Sequence, residues 1–239
     1  MRAYCIGIVV LGLVMLPQCA AALDGAGDKR AFFAREQASR DVRHIADWVV
    51  DSGDNRGLPF VIIDKTDARI FVFDASGRIR GAAPALLGLA RGDDTVPGIG
   101  DRELSSIAPE ERTTPAGRFV AARGMSFRGE DVVWVDYASG VSLHRVITSN
   151  PRERRLERLA TPTPADNRIS YGCINVPATF YNEVVDPSFT GTNGIVYVLP
   201  ETRPVRQVFG SYDVEVRHQY AAQAPSNATI AGALSTITQ

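Results

Sequence analysis

The sequence has little cysteine, little histidine and no long hydrophobic run. It contains three cysteines and three histidines, and two of the cysteines, Cys5 and Cys19, lie near the N-terminus. Beyond them only Cys173 remains, which excludes a disulfide framework in the body of the chain. A lone thiol is either a buried structural group or a reactive one.

Charge of either sign is not in excess, since 26 Lys and Arg residues are balanced by 27 Asp and Glu. This balance offers no basic surface to a polyanion, so we expect no nucleic-acid partner. The histidines are far apart in the sequence, and the Asp93-Asp94 pair in the polar loop 92–111 is typical of a solvated turn. The sequence therefore predicts no metal site and no cofactor.

Residues 1–22 have the pattern of a secretory signal peptide. Arg2 precedes an apolar run from Ile6 to Leu16, and Ala20-Ala21-Ala22 supplies small residues for cleavage before Leu23. The run is shorter than the roughly 20 residues that cross a bilayer, so no stable membrane span is expected after cleavage. The pattern predicts export to the periplasm or cell envelope, with both N-terminal cysteines removed.

Hydrophobic periodicity predicts one N-terminal helix followed by mainly β structure. From Lys29 to Val50 apolar residues recur with helical spacing, which indicates an amphipathic helix. Short β-rich runs with Gly and Pro turns between them predict strands. These runs are 60–64, 69–73, 78–81, 86–90, 117–122, 131–137, 141–147 and 194–199. With a short helix from Pro177 to Val185, we expect a sandwich or partly closed barrel.

Cys173 has the neighbours expected of a nucleophile on a tight turn. Gly172 removes a side chain where a substrate backbone would approach, and Ser170 and Asn175 place hydrogen-bonding groups on either side. The backbone N–H groups of Gly172 and Cys173 are the candidate donors to a tetrahedral intermediate. A buried structural cysteine is the alternative interpretation.

A thiol nucleophile needs a base nearby, because the thiolate is the attacking species. His144, in the predicted strand 141–147, is the candidate base, and His218 is the second choice. His44 falls within the predicted helix and is expected to be a partly exposed helical residue.

The motif Ser-x-Gly-Cys-Ile-Asn at 170–175, with His144 upstream, resembles the signature of the L,D-transpeptidase family, which cross-links peptidoglycan. The stretch 114–119 resembles the family's Thr-Pro-x-Gly-x-Phe turn and strand, and the matches run from about 59 to 199. Two features depart from the family pattern. Tyr171 stands where His is usual, and the gap between His144 and the motif is longer.

The resemblance implies an L,D-transpeptidase-like β fold and a cysteine-dependent acyltransferase that acts on peptidoglycan peptide stems. Cys173 would attack a meso-diaminopimelate carbonyl, release D-alanine and form a thioester that an acceptor amine resolves. Resolution by water would instead give an L,D-carboxypeptidase or a cross-link hydrolase, and an inactive peptidoglycan-binding module is a further alternative. The implied site residues are Cys173 and His144 for catalysis, Gly172, Ser170 and Tyr171 for the turn and oxyanion, and Asn175 and Arg168 for the substrate.

The expected domain order is a signal peptide at 1–22, a helical segment at 23–57, the catalytic domain at 58–200 and a C-terminal extension at 201–239. The composition from Gln219 onward predicts a partly disordered tail. Between the candidate base and nucleophile, residues 151–166 are rich in Arg and Glu. This segment is either a lid that guides an anionic stem or a solvated charged loop.

Overall fold

The computed structural model describes residues 29–223, so the predicted signal peptide and the end of the C-terminal extension lie outside the described residues. The strands are β1 Phe60–Asp64, β2 Arg69–Phe73, β3 Ile79–Pro84, β4 Leu87–Gly88, β5 Gly117–Met125, β6 Asp131–Asp136, β7 Val141–Arg145, β8 Arg168–Ser170, β9 Ile174–Val176 and β10 Gly194–Val198. The helices are α1 Arg40–Ser52, α2 Arg155–Ala160, α3 Ala178–Phe180, α4 Asp186–Phe189, α5 Val205–Phe209 and α6 Val214–Gln223.

Eight strands form one sheet that nearly closes on itself. Their order is β3-β2-β1-β10-β5-β6-β7-β9, and β4 pairs with β8 separately. Beyond β3 the chain reaches the opposite edge of this sheet, where Leu86 and Asn175 exchange backbone hydrogen bonds of 2.8 and 2.9 Å. The predicted mainly β fold, with a partly closed barrel, is confirmed.

Both faces of the central strands are buried. Because successive side chains of a strand point to opposite faces, Val61 and Ile63 of β1 enter the core inside the curved sheet. Phe60 and Ile62 enter a second core, which α1 covers with Ile45 and other apolar residues. Full burial of each such side chain contributes about 1.5–3 kcal/mol. The central strands β1 and β10 are therefore fixed from two sides.

Helix α1 begins later than the periodicity predicted. Ser39 is its N-cap and accepts a hydrogen bond of 3.3 Å from the Val42 amide, which fixes the start of the helix. The residues before it are not helical, and Phe32 instead pairs with the backbone around Arg78. The helix ends at Gly53, whose φ of 68° suits glycine.

The structure contains two strands that the sequence did not predict, β8 and β9, which flank Cys173. The short helix expected after Cys173 is present as α3, a π-helical turn at Tyr181–Val185 and α4. Helix α6 continues past Gln219, where the tail was predicted to begin, up to Gln223.

Within residues 29–223, no helix combines the length and apolar character needed to cross a membrane. In the same part of the chain, no group of three or more His, Cys, Asp or Glu side chains is placed to hold a metal ion.

Candidate active site

Cys173 lies in a tight connection between β8 and β9 that Ser170 holds in shape. The Ser170 hydroxyl accepts a hydrogen bond of 3.1 Å from the Gly172 amide and donates one of 2.6 Å to the Cys173 carbonyl. The Gly172 amide is therefore already engaged, which removes it from the predicted pair of oxyanion donors. The Cys173 amide makes no hydrogen bond to any described residue and stays a candidate.

Glycine is required at position 172. Its φ of +131° is one that other residues rarely adopt, and a Cβ there would lie 2.9 Å from the Thr113 carbonyl oxygen. The buried hydroxyl of Thr114 donates a hydrogen bond of 2.8 Å to the Gly172 carbonyl oxygen and accepts one of 2.9 Å from the Gly88 amide. Thr114, which the sequence placed only in a turn motif, thus anchors the turn that carries the nucleophile.

His144 is brought beside this turn by strand pairing. Strand β7 runs parallel to β9, with His144 in register with Asn175. The His144 Nδ1 atom lies 2.7 Å from the Arg145 carbonyl oxygen, and because a carbonyl only accepts, Nδ1 carries the proton. Nε2 is then left as an acceptor for the Cys173 thiol proton.

Two further groups contact the thiol. The Cys173 Sγ atom lies 3.5 Å from the Gly140 carbonyl oxygen and 3.6 Å from the Ser142 hydroxyl oxygen. Ser142 and His144 are two residues apart on β7, so both side chains point to the same face. Ser142 was not predicted from the sequence, although this alternation could have identified it.

The pKa values of the two central groups move in opposite directions. Burial raises the pKa of Cys173, but the hydrogen bond and charge of His144 outweigh it and hold that pKa below its usual range. Burial lowers the pKa of His144, but its hydrogen bond and charge interaction with Cys173 leave that pKa above its usual range. Both shifts are in the direction that favours a thiolate–imidazolium pair.

The pair has a measurable pH dependence. The thiolate fraction rises through the lowered pKa of Cys173, so the midpoint of its alkylation by iodoacetamide should lie below the ordinary thiol pKa of about 8.5. Rates measured from pH 5 to 10 by intact mass test this; as a control, free cysteine should follow its ordinary titration. A Cys173 profile with its midpoint at or above that of free cysteine would contradict the assignment.

Cys173 and His144 open into one pocket of about 250 Å³. Five of the seven residues proposed from the sequence line it: Cys173, His144, Ser170, Tyr171 and Asn175. Gly172 lies in the turn behind them. The other lining residues are Leu104, Arg128, Ile147, Ser149, Asn150, Glu153 and Arg155.

Arg168 is not part of this pocket, and its predicted contact with substrate is corrected. Its side chain is 9% exposed and forms a double hydrogen bond with Glu201, at 2.5 and 3.2 Å. It also donates a hydrogen bond of 2.7 Å to the Lys65 carbonyl oxygen. A guanidinium held in this way has a structural role beneath β8.

Asp93 was expected in a solvated turn, but it is buried and paired. It contacts the fully buried Lys65 ammonium at 2.9 Å, and Lys65 also donates a hydrogen bond of 3.0 Å to the Thr114 carbonyl oxygen. Burial alone would raise the pKa of Asp93, yet hydrogen bonds from Thr202, Glu201 and Lys65 hold that pKa well below its usual range. Only Asp94 of the pair is exposed.

The Arg-rich segment 151–166 forms one wall of the pocket. Arg155 of α2 donates a hydrogen bond of 2.7 Å to the side-chain oxygen of Asn175 and is paired with Glu153. Arg158 donates to the carbonyl oxygens of Glu153 and Asp166, at 2.8 and 2.7 Å. These contacts fold the segment against the site, so the solvated-loop interpretation does not describe Arg155 or Arg158.

Tyr171, the departure from the family pattern, packs at the pocket through its ring. The Arg112 guanidinium lies 4.0 Å from the centroid of that ring and also donates to the Ile107 carbonyl oxygen. The Tyr171 hydroxyl makes no hydrogen bond within residues 29–223. Its ring therefore connects the loop 102–112 to the nucleophile turn.

The other two histidines lie on the helices, away from Cys173. His218 of α6 contacts Asp51 of α1 at 2.7 Å, and His44 of α1 contacts the Ser211 hydroxyl at 2.9 Å. Neither lines the Cys173 pocket. The second-choice base is thus not brought to the nucleophile.

No family model matches the chain, and no curated protein does. Among solved structures, it is similar to the helical cell shape determining protein Pgp2 from Campylobacter jejuni, with 16% identity over 61% of this chain and 49% of that one and a TM-score of 0.40. It is similar to an L,D-transpeptidase from Xylanimonas cellulosilytica, with 16% identity over 59% of this chain and 60% of that one and a TM-score of 0.37.

A third similar structure is the catalytic domain of the E. faecium L,D-transpeptidase, with 16% identity over 59% of this chain and 95% of that one and a TM-score of 0.31. The chain spans about half the length of the Pgp2 chain that it matches. These neighbours include L,D-transpeptidases, the family that the Cys173 motif resembles. The likeness is one of fold.

Proposed function

We propose that this protein is an L,D-transpeptidase that acts on peptidoglycan stem peptides through a Cys173 thioester, with His144 as its base, in cell wall biogenesis or remodelling. The observation that carries the proposal is that Cys173 and His144 line one open pocket, with His144 Nδ1 hydrogen-bonded to the Arg145 carbonyl oxygen so that Nε2 can accept a proton. The lowered thiol pKa and the raised imidazole pKa agree with it. A buried structural cysteine would have its pKa raised instead.

In the acylation step, the Cys173 thiolate attacks the diaminopimelate carbonyl that is joined to D-alanine. The Cys173 amide donates to the developing oxyanion, because it is not otherwise engaged. The His144 imidazolium passes its proton to the leaving amine, the C–N bond breaks and D-alanine departs. The stem remains on Cys173 as a thioester.

In the second step, neutral His144 removes a proton from the incoming acceptor as it attacks the thioester, and the Cys173 thiolate is restored. An amine acceptor gives a cross-link, whereas water gives the carboxypeptidase or hydrolase reaction on the same site. The lowered thiol pKa favours an enzyme over an inactive binding module. We further propose that the protein works in the periplasm or cell envelope.

The test is incubation of purified protein with a synthetic tetrapeptide stem, with and without an amine acceptor, followed by mass spectrometry. Free D-alanine, a stem thioester on Cys173 and an amine-dependent cross-linked product are expected. Release of D-alanine without any acceptor product would assign the hydrolytic reaction. If the protein binds stems but forms no thioester and releases no D-alanine, it is a binding module.

Replacement of Tyr171 by Phe should keep the acylation rate within about tenfold of the parent. The ring contact with Arg112 is retained, and the lost hydroxyl makes no hydrogen bond to any described residue. Thioester formation followed by stopped-flow or quenched mass spectrometry measures the change. A loss of a thousandfold or more, with an unchanged circular dichroism spectrum, would place the hydroxyl in proton transfer and overturn the two-residue dyad.

A further inference from the structure

Arg128 brings an unpaired positive charge to the Cys173 pocket. Of the two arginines that line the pocket, Arg155 is paired with Glu153. Arg128 has neither an ion pair nor a side-chain hydrogen bond within residues 29–223. Two carboxylates line a cleft together with Arg128: Asp131 is held by Arg145 at 3.0 and 3.2 Å, and Glu130 forms no ion pair with Arg128.

The backbone that carries Arg128 is well held. It lies in the turn between β5 and β6, where the Ser126 and Glu130 backbones are joined by a hydrogen bond of 2.8 Å. The Ser126 hydroxyl accepts from the Arg128 and Glu130 amides, at 3.3 and 3.2 Å. The side chain itself is exposed, so it can turn toward a ligand without breaking an existing contact.

Among the charged residues that line the pocket, one cation has no counter-charge. Arg155 is balanced by Glu153, and the Cys173–His144 pair has no net charge whichever of the two holds the proton. Arg128 is the remaining charge among the lining residues, and its planar guanidinium suits a carboxylate. A molecule that brings a carboxylate near Cys173 thus meets an available partner, whereas a neutral amide does not.

We propose that Arg128 determines specificity by recognising a free carboxylate on the molecule that reacts with Cys173. The identity of this carboxylate rests on the proposed function: it is a carboxylate of the diaminopimelate residue in the donor stem. Stems with that carboxylate amidated are the disfavoured substrates. Arg155, fixed by Asn175 and Glu153, shapes the wall beside it.

The first test compares two reagents of nearly equal size, anionic iodoacetate and neutral iodoacetamide, on the full chain. In Arg128→Met, the rate ratio of iodoacetate to iodoacetamide should fall about tenfold, the effect of one hydrogen bond between charged groups. Arg152→Met is the matched control, because Arg152 is an exposed arginine nearby that does not line the pocket. An equal fall in both variants, or none in Arg128→Met, would overturn the proposal.

The second test uses tetrapeptide stems with the diaminopimelate carboxylate free or amidated. The parent should prefer the free acid in kcat/KM, and Arg128→Met should lose most of that preference while its rate with the amidated stem stays the same. Turnover of both stems with an unchanged preference would refute the role of Arg128 and leave the proposed function standing. If neither stem reacts but the reagent ratio still falls, the proposed function fails and Arg128 keeps its role.

Discussion

Replacement of Cys173 by Ala should abolish thioester formation and lower D-alanine release by at least about a thousandfold. In the proposed reaction this side chain supplies the attacking sulfur, and Cys173 is the only cysteine among residues 29–223. Quenched-flow mass spectrometry of the protein with a tetrapeptide stem measures both quantities. The fold should be retained, since the turn is held by Ser170 and Thr114 and not by the thiol.

Cys173→Ser is the matched control for this change. It keeps a small polar side chain next to Ser142 and His144 but offers a hydroxyl, which is far less acidic than a thiol. We expect little turnover from it and normal stem binding by calorimetry. Turnover by Cys173→Ala at more than a tenth of the parent rate would show that the nucleophile lies elsewhere.

Replacement of His144 by Ala should lower the acylation rate by about 10² to 10⁴, the range typical of a lost general base. Without the imidazole, the Cys173 thiol loses the hydrogen bond and charge that hold its pKa down, while burial continues to raise it. The rate should therefore recover in part at high pH, where the thiol ionises unaided. A pH series of single-turnover acylation measures both effects.

His44→Ala controls for the loss of an imidazole as such. His44 contacts Ser211 on the helical side of the protein, so its replacement should leave acylation unchanged. Normal acylation of His144→Ala at neutral pH would show that His144 is not the base. An equal loss in both variants would point to a general effect on the fold.

Much of the sheet could be predicted from the sequence, because its central strands contain continuous runs of β-branched and aromatic residues such as 60–63 and 195–198. Strands β8 and β9 could not, since each is three residues long and its pairing depends on distant strands. The start of α1 was placed too early because periodicity registers apolar spacing, whereas the N-cap formed by Ser39 determines where the helix begins.

The candidate site was predicted where it is local in sequence, as in the turn around Cys173. Contacts made through tertiary folding were missed, above all the Thr114 hydroxyl on Gly172 and the Arg155 guanidinium on Asn175. Arg168 shows the converse: it adjoins the motif in sequence, yet its side chain is committed to Glu201. Nearness along the chain does not determine which way a strand residue faces.

The position of β10 also has a consequence for how the protein folds. This strand, near the end of the described chain, lies between β1 and β5 and pairs with both. Until residues 194–198 leave the ribosome, β1 and β5 each have an unpaired edge, and β1 is also almost entirely apolar. Pairings between such distant segments are slow to form, and the exposed edges favour aggregation meanwhile. A chain that stops short of Gly194 is therefore expected to be a target for chaperones and proteases and not a smaller folded domain.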